Sequence, residues 1–307
     1  MSDHPLPNLI IAGVVKGGTT SVFSYLAEHK DVCPSSKKEA QYFSGYRYNE
    51  PVESLDEYRA LFSRWDQERY VLEATPGYFE GGQFLAQKIK ETLAPETKVV
   101  IILRNPVDRF LSFFKYKKSE LQLNKDMPLE EYITLCENTP QSQKLLRHND
   151  LYWGLDGGLY SHYLAEWLDV FGDSCKVMFF DDLKSDRAGF MRDLATWLAL
   201  DPKIYDDLDM AIENKSQAYR SQWLQRLALN VNAQFEVLFR RYPAFKKLLR
   251  SVYVRLNAPS FDDSYSKETL EYLEGFYRKS NQDVANLLRL QGVTESNLPS
   301  WLTDQTI

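Results

Sequence analysis

The chain has 307 residues, 44% of them hydrophobic and 26% charged, which is enough to bury a large core. A net charge of −6 argues against a nucleic-acid binder, and no apolar run is long enough for an integral membrane segment. Cys33, Cys136 and Cys175 are few and far apart, which points to free thiols in a reducing, cytoplasmic compartment, and residues 1–8 lack a secretory signal pattern.

In chain order, NLIIAGV (8–14) predicts a buried parallel strand, and residues 19–29 carry Val22, Phe23 and Leu26 at helical spacing. DVCP reads as a short strand. SLDEYRALF (54–62) reads as a helix with Ser54 and Glu57 in a capping box. RYVLEA (69–74) is a strand that ends in a turn at TPG, and residues 82–93 are helical. TKVVIILR (97–104) is the strongest strand pattern, and Pro106 suits the first turn of a helix over 106–119. A helix at 129–137, a polar loop at 138–157, a helix at 158–172 stopped by Gly172, a strand at 175–180 and a helix at 186–200 follow. From about 221 to 301 the pattern is helical only. Alternating strands and helices predict an α/β fold with a parallel sheet flanked by helices. One domain over 1–307 is expected, with its core in 8–200 and a mainly helical C-terminal part in 221–301.

The junction of the first strand and helix reads AGVVKGGTTS. Gly13, Gly18 and Thr20 sit as in a Walker A loop, but Thr19 holds the lysine position and Lys16 comes three residues early. A glycine loop at a helix N-terminus aims backbone N–H groups and the positive end of the helix dipole at one spot, which favours phosphate. Lys16 adds a cation, and Thr19, Thr20 and Ser21 add hydroxyl donors. The plain alternative is a tight turn with ordinary caps. Arg104 stands at the C-terminal end of the strongest strand, where open α/β sheets bind ligands, and Ser112 lies about two helical turns on. An ion pair with Asp108 is the structural alternative for Arg104. His4, His29, His148 and His162 are scattered without metal-ligand spacing.

KGGTTSVFSYLAEHKDVCPSSKKEAQYFS, YVLEATPGYF, VVIILRNPVDRFLSFF, GLYSHYLAEWL and VMFFDDL occur in that order. Together they resemble sulfotransferases that use 3′-phosphoadenosine 5′-phosphosulfate (PAPS), in the branch related to heparan sulfate sulfotransferase domains. The likeness covers about residues 8–200, and a weaker likeness runs through the C-terminal helices. It implies a P-loop-like fold in which Lys16, Gly17, Gly18, Thr19, Thr20 and Ser21 hold the 5′-phosphosulfate. Arg104 and Ser112 would hold the 3′-phosphate, and Glu39 would be the general base. Arg220, in NKSQAYRSQW, is a looser match to a loop that closes over the nucleotide. Lys16 would act in catalysis as well as in binding.

The implied reaction moves a sulfuryl group to a hydroxyl or amine of a small-molecule or glycan acceptor, with adenosine 3′,5′-bisphosphate (PAP) as product. No divalent metal is needed if Lys16 and backbone N–H groups hold the phosphosulfate. One departure stands out. The family commonly has Glu-Lys before the Ser/Thr-Pro turn, whereas this chain reads Glu73-Ala74-Thr75-Pro76. Lys37 and Lys38 are substitutes by proximity. Two other readings stay open: a P-loop ATP-dependent kinase, opposed by Thr19, and a non-catalytic nucleotide- or glycan-binding protein, suggested by Ala74. Tyr42, Phe43, Tyr46, Tyr48, Tyr78 and Phe79 gather near the expected acceptor side. Arg240, Arg241, Lys246, Lys247, Arg250 and Arg255 make the C-terminal region basic.

Overall fold

The computed structural model of the protein describes residues 4–210, 219–235 and 264–303, together with Leu249, Tyr253 and Asn257. The six basic residues from Arg240 to Arg255 named above lie outside the described residues.

Five strands, β1 (Leu9–Gly13), β2 (Val32–Pro34), β3 (Tyr70–Ala74), β4 (Lys98–Leu103) and β5 (Cys175–Phe179), form one sheet in the order β2-β3-β1-β4-β5. All four pairings are parallel, with Leu9 opposite Leu72 on one side and Lys98 on the other. Both faces are covered, so the central strands are apolar throughout rather than alternating. Ile10, Ala12, Val99 and Ile101 point into one core. Leu9, Ile11, Val100 and Ile102 point into the other.

Helices α1 (Thr19–Ala27), α2 (Gly82–Thr92), α3 (Pro106–Ser119), α4 (Ser161–Phe171), α5 (Arg187–Trp197), α6 (Gln222–Gln234) and α7 (Lys267–Leu290) supply most of the covering layers. Asn105 caps α3 by accepting from the amides of Val107 and Asp108, with Pro106 at its first position. The capping box at Ser54 and Glu57 is present on the short helix Leu55–Ala60. The C-terminal part packs back on the core. Ser280 on α7 bonds Ser161 at the start of α4, and Trp301 donates to Asp181 at 3.2 Å.

Two sequence expectations shift. Helix α4 begins at Ser161 rather than 158, because Asp156–Gly158 forms a tight 3₁₀ turn and the Tyr160 hydroxyl turns away to donate to the Arg104 carbonyl at 2.7 Å. The expected polar loop at 138–157 contains a short helix, Gln141–Lys144, and a 3₁₀ segment, Arg147–Trp153. Trp153 and Leu155 anchor that stretch in the interior.

In this strand order the chain moves from β1 toward β2 on one side and reaches β4 on the other. The split between β1 and β4 is the switch point at which open α/β sheets bind ligands. It places the loop after Gly13 beside the residues after Leu103.

Candidate functional site

The loop after β1 is shaped by two glycines. A Cβ on Gly17 would lie 2.5 Å from the Ile102 carbonyl, so only glycine lets the loop pass the end of β4. Gly18 has φ +86°, and a Cβ there would press on Leu183 and Phe180. Gly18 is also the N-cap of α1. No side chain caps this helix and no acidic residue stands in its first turn, which leaves its N-terminal amides directed at the loop. Thr19 and Ser21 are buried beside it, and Thr20 is half-buried.

Lys16 and Arg104 meet over this loop. Arg104 donates from Nη1 to the Lys16 carbonyl at 3.1 Å, and its guanidinium lies 4.5 Å from the centre of the Phe180 ring. Burial pulls the Arg104 guanidinium below its usual value; Asp108 opposes this, at longer range than an ion pair. The Arg104–Asp108 ion pair raised above as the structural alternative is therefore not formed. Arg104 Nε is buried without a hydrogen-bond partner, an orphaned donor in a cationic corner. The Lys16 ammonium lies 4.5 Å over the Tyr116 ring. Burial and then the charge of Arg104 lower its pKa to about 8, against the pull of Glu39 and Glu120. Ser112, half-buried on α3, faces the same space.

Glu39 stands across the cleft on a left-handed corner with φ +60°. Its amide donates to the Ala74 carbonyl at 3.0 Å, and Oε1 pairs with the Lys38 ammonium at 2.9 Å. Lys37 is exposed, whereas Lys38 is only 13% exposed and reaches the carboxylate. Ala74 is wholly buried and offers no polar group, so Lys38 is the cation nearest to Glu39 in sequence that also pairs with it in space.

A single cleft of about 2280 Å³ takes in Lys16, Gly18, Thr19, Thr20, Ser21, Glu39, Arg104 and Ser112. Ligand pockets commonly measure 300–1,000 Å³, so this one has room for two reactants side by side. Gly17 lies behind the wall as the point of close backbone approach. Arg220 is not brought in: it is exposed, and its amide donates to the Asn257 carbonyl at 2.8 Å. His162 is exposed on α4. Tyr42, Phe43, Tyr78 and Phe79 are buried and belong to the core, while Tyr48 lines the cleft.

The far end of the cleft holds residues that sequence reasoning missed. Arg47 pairs with Glu80 at 2.8 Å, Arg109 approaches Glu80 at 3.7 Å, and all three side chains are buried. The Arg47 and Arg147 guanidiniums both lie over Tyr48, and Arg47 also lies over Trp153. Arg147 in turn pairs with Glu50 at 2.6 Å. These partners come from separate segments, and no local pattern announces them. Phe180 was within reach, because it follows directly on β5 at a strand end.

The family model for the sulfotransferase domain matches residues 6–247. A bifunctional heparan sulfate N-deacetylase/N-sulfotransferase 1 from Caenorhabditis briggsae is 30% identical over 208 residues, 65% of this chain and 23% of that protein. Its counterpart from Xenopus tropicalis is 25% identical over 97% of this chain and 31% of that protein. The chain thus spans about a quarter to a third of the length of these curated relatives. A solved sulfotransferase from Alicyclobacillus acidocaldarius superposes with a TM-score of 0.57 at 25% identity, over 76% of this chain and 94% of that one.

Proposed function

The chain belongs to the sulfotransferase-domain family, and on that footing we propose that it transfers a sulfuryl group from PAPS to a hydroxyl or amine of a glycan-like acceptor. The observation that carries this reading is the meeting of Lys16, Arg104 and the uncapped α1 terminus with Glu39 in one cleft. The residues fit the donor: the Arg104 guanidinium, the Thr19, Thr20 and Ser21 hydroxyls and the uncapped α1 terminus line the cleft as donors to an anion, and Arg104 Nε is an orphaned donor behind them. When bound, PAPS supplies an activated sulfuryl group and a bisphosphate leaving group.

The chain's own residues then divide the work. Lys16, the α1 amides and the Thr19, Thr20 and Ser21 hydroxyls hold the 5′ side, and Lys16 offsets charge growing on the departing phosphate oxygen. Arg104 and Ser112 hold the 3′-phosphate, where a guanidinium suits two-point binding. Glu39 takes the proton from the acceptor, and Lys38 holds its carboxylate in place. Fixing donor and acceptor side by side supplies much of the rate, as it does in phosphoryl transfer. A glycan-like acceptor is supported by the heparan sulfate enzymes among the relatives and by Tyr48 in the cleft wall. Cytoplasmic residence belongs to the same proposal; it rests on three free cysteines, and cell fractionation tests it.

The test is transfer of ³⁵S from labelled PAPS to a panel of glycan and small-molecule acceptors. The expected result is labelling of at least one glycan that Glu39→Gln abolishes. A panel that stays unlabelled while PAP still binds would favour the non-catalytic reading suggested by Ala74.

A further inference from the structure

Behind the Glu39 corner lies a buried carboxyl that the reaction above does not use. Glu73, on β3, is wholly buried. Its Oε1 accepts from the Thr75 hydroxyl at 2.6 Å, and Oε2 has no hydrogen-bond partner. Thr75 Oγ1 in turn accepts from the Gln41 amide at 3.2 Å. Two further bonds run parallel to this one: the Glu39 amide to the Ala74 carbonyl, and the Phe43 amide to the Tyr78 hydroxyl at 3.3 Å. Segment 39–43 therefore hangs from the end of β3 by three backbone amides. It needs such anchors, because both Glu39 (φ +60°) and Gln41 (φ +59°) occupy the left-handed region, which costs non-glycine residues free energy.

The same segment roofs the carboxyl. Tyr42 stacks on Tyr58 at 4.2 Å, and Phe43 sits edge-on to Tyr58 and Tyr78. Tyr58 and Tyr78 are wholly buried around Glu73, and the Tyr58 hydroxyl also lacks a hydrogen-bond partner. Lifting 39–43 would admit water to all three.

Resting on the sulfuryl-transfer reading for the role of Glu39, we propose that Glu73 is a positioning residue, which through Thr75 and the Tyr58–Tyr78 pair anchors segment 39–43 and so aims the Glu39 carboxylate into the cleft. The groups facing Glu73 are Lys38 and Glu39 from the segment, Tyr58 from the helix Leu55–Ala60, and Thr75 and Tyr78 from the turn after β3. Burial raises its pKa from 4.5 to about 7. The bond from Thr75, the nearby Tyr78 hydroxyl and the charge of Lys38 work against that rise, and the charge of Glu39 works with it. The closed segment thus keeps a proton that the opened, hydrated segment releases. Closure is fully supported below about pH 4.5, weakens as pH rises toward 7, and levels off above.

The test is amide hydrogen exchange of the whole chain between pH 5 and 8, corrected for intrinsic rates, reading Glu39, Gln41 and Phe43 against β4. In the wild type, protection of these three amides falls at least about tenfold from pH 5 to 7 and then levels, while β4 stays constant. In Glu73→Gln, which can still accept from Thr75 but does not titrate, protection varies less than about twofold across the range. Flat protection in the wild type overturns the proposal without recourse to any variant. So does a Glu73→Gln profile that keeps the wild-type slope. Calorimetry with PAP on the same samples is the separate check: loss of PAP binding in the wild type would remove the sulfuryl-transfer reading, whereas the exchange profile reports on the anchor alone.

Discussion

The two ends of the cleft are built on opposite principles. At the end proposed to take the donor, Lys16 and Arg104 meet over an uncapped helix terminus, each pulled below its usual pKa by burial. At the end proposed to take the acceptor, three cations each have an acid: Lys38 with Glu39, Arg47 with Glu80, Arg147 with Glu50. One end gathers two cations at a helix N-terminus. The other pairs its charges internally, which leaves shape, stacking and hydrogen bonds to select under the proposed function. An anion should therefore bind at the first end with little help from the second, and changes at the second should be felt as lost rigidity and lost turnover.

The largest effect expected is at the acceptor end. Glu80→Ala strands Arg47 and Arg109 in the interior, which should cost about 3–5 kcal/mol of stability, read by urea or thermal unfolding. At the donor end, Lys16→Ala should cut turnover about 10²–10³-fold by removing charge stabilisation of the leaving group. Glu39→Gln should cut turnover at least about 10²-fold while leaving PAP affinity unchanged in calorimetry. Equal losses of PAP affinity in Glu39→Gln and Lys16→Ala would break the division between the two ends.

pH acts on the two ends differently. Lys16 binds an anion only when protonated, and its pKa is lowered to about 8. PAP affinity should therefore decline as pH rises through about 8, and Lys16→Arg should remove the decline. The smallest effect lies outside the cleft. Ser54→Ala breaks the capping box on Leu55–Ala60 and should cost about 1 kcal/mol of stability with no change in PAP affinity.

The meeting of Lys16, the glycine loop and Arg104 was legible in the sequence because its parts are local. A glycine pair, a lysine and hydroxyls within six residues, and an arginine at the end of the most apolar strand, each carry a readable reason. The strands and most helix boundaries were legible on the same grounds: apolar runs five or six residues long, Pro106 at a helix start, Gly172 at a helix end. The acceptor end was not. Glu80, Arg47, Arg109 and Arg147 come from four segments, and pairing across the fold leaves no spacing to read. Lys37 and Lys38 were indistinguishable until the left-handed corner at Glu39 put one of them against the carboxylate. Arg220 stands outside the cleft lining, because a short motif says nothing of which way an exposed residue faces. Glu73 shows the converse: a carboxyl inside a strand of five residues reads as an anomaly, and its meaning came only with Thr75 and the two tyrosines around it.

Under the proposed function, the cationic end is built for a 3′,5′-bisphosphate donor. Isothermal titration of the wild type with PAP, and separately with ATP and Mg²⁺, tests it most directly. The expected result is tight binding of PAP, weakened at least about tenfold by Arg104→Met, with ATP–Mg²⁺ binding much more weakly. Tight binding of ATP–Mg²⁺ with no measurable binding of PAP would contradict it.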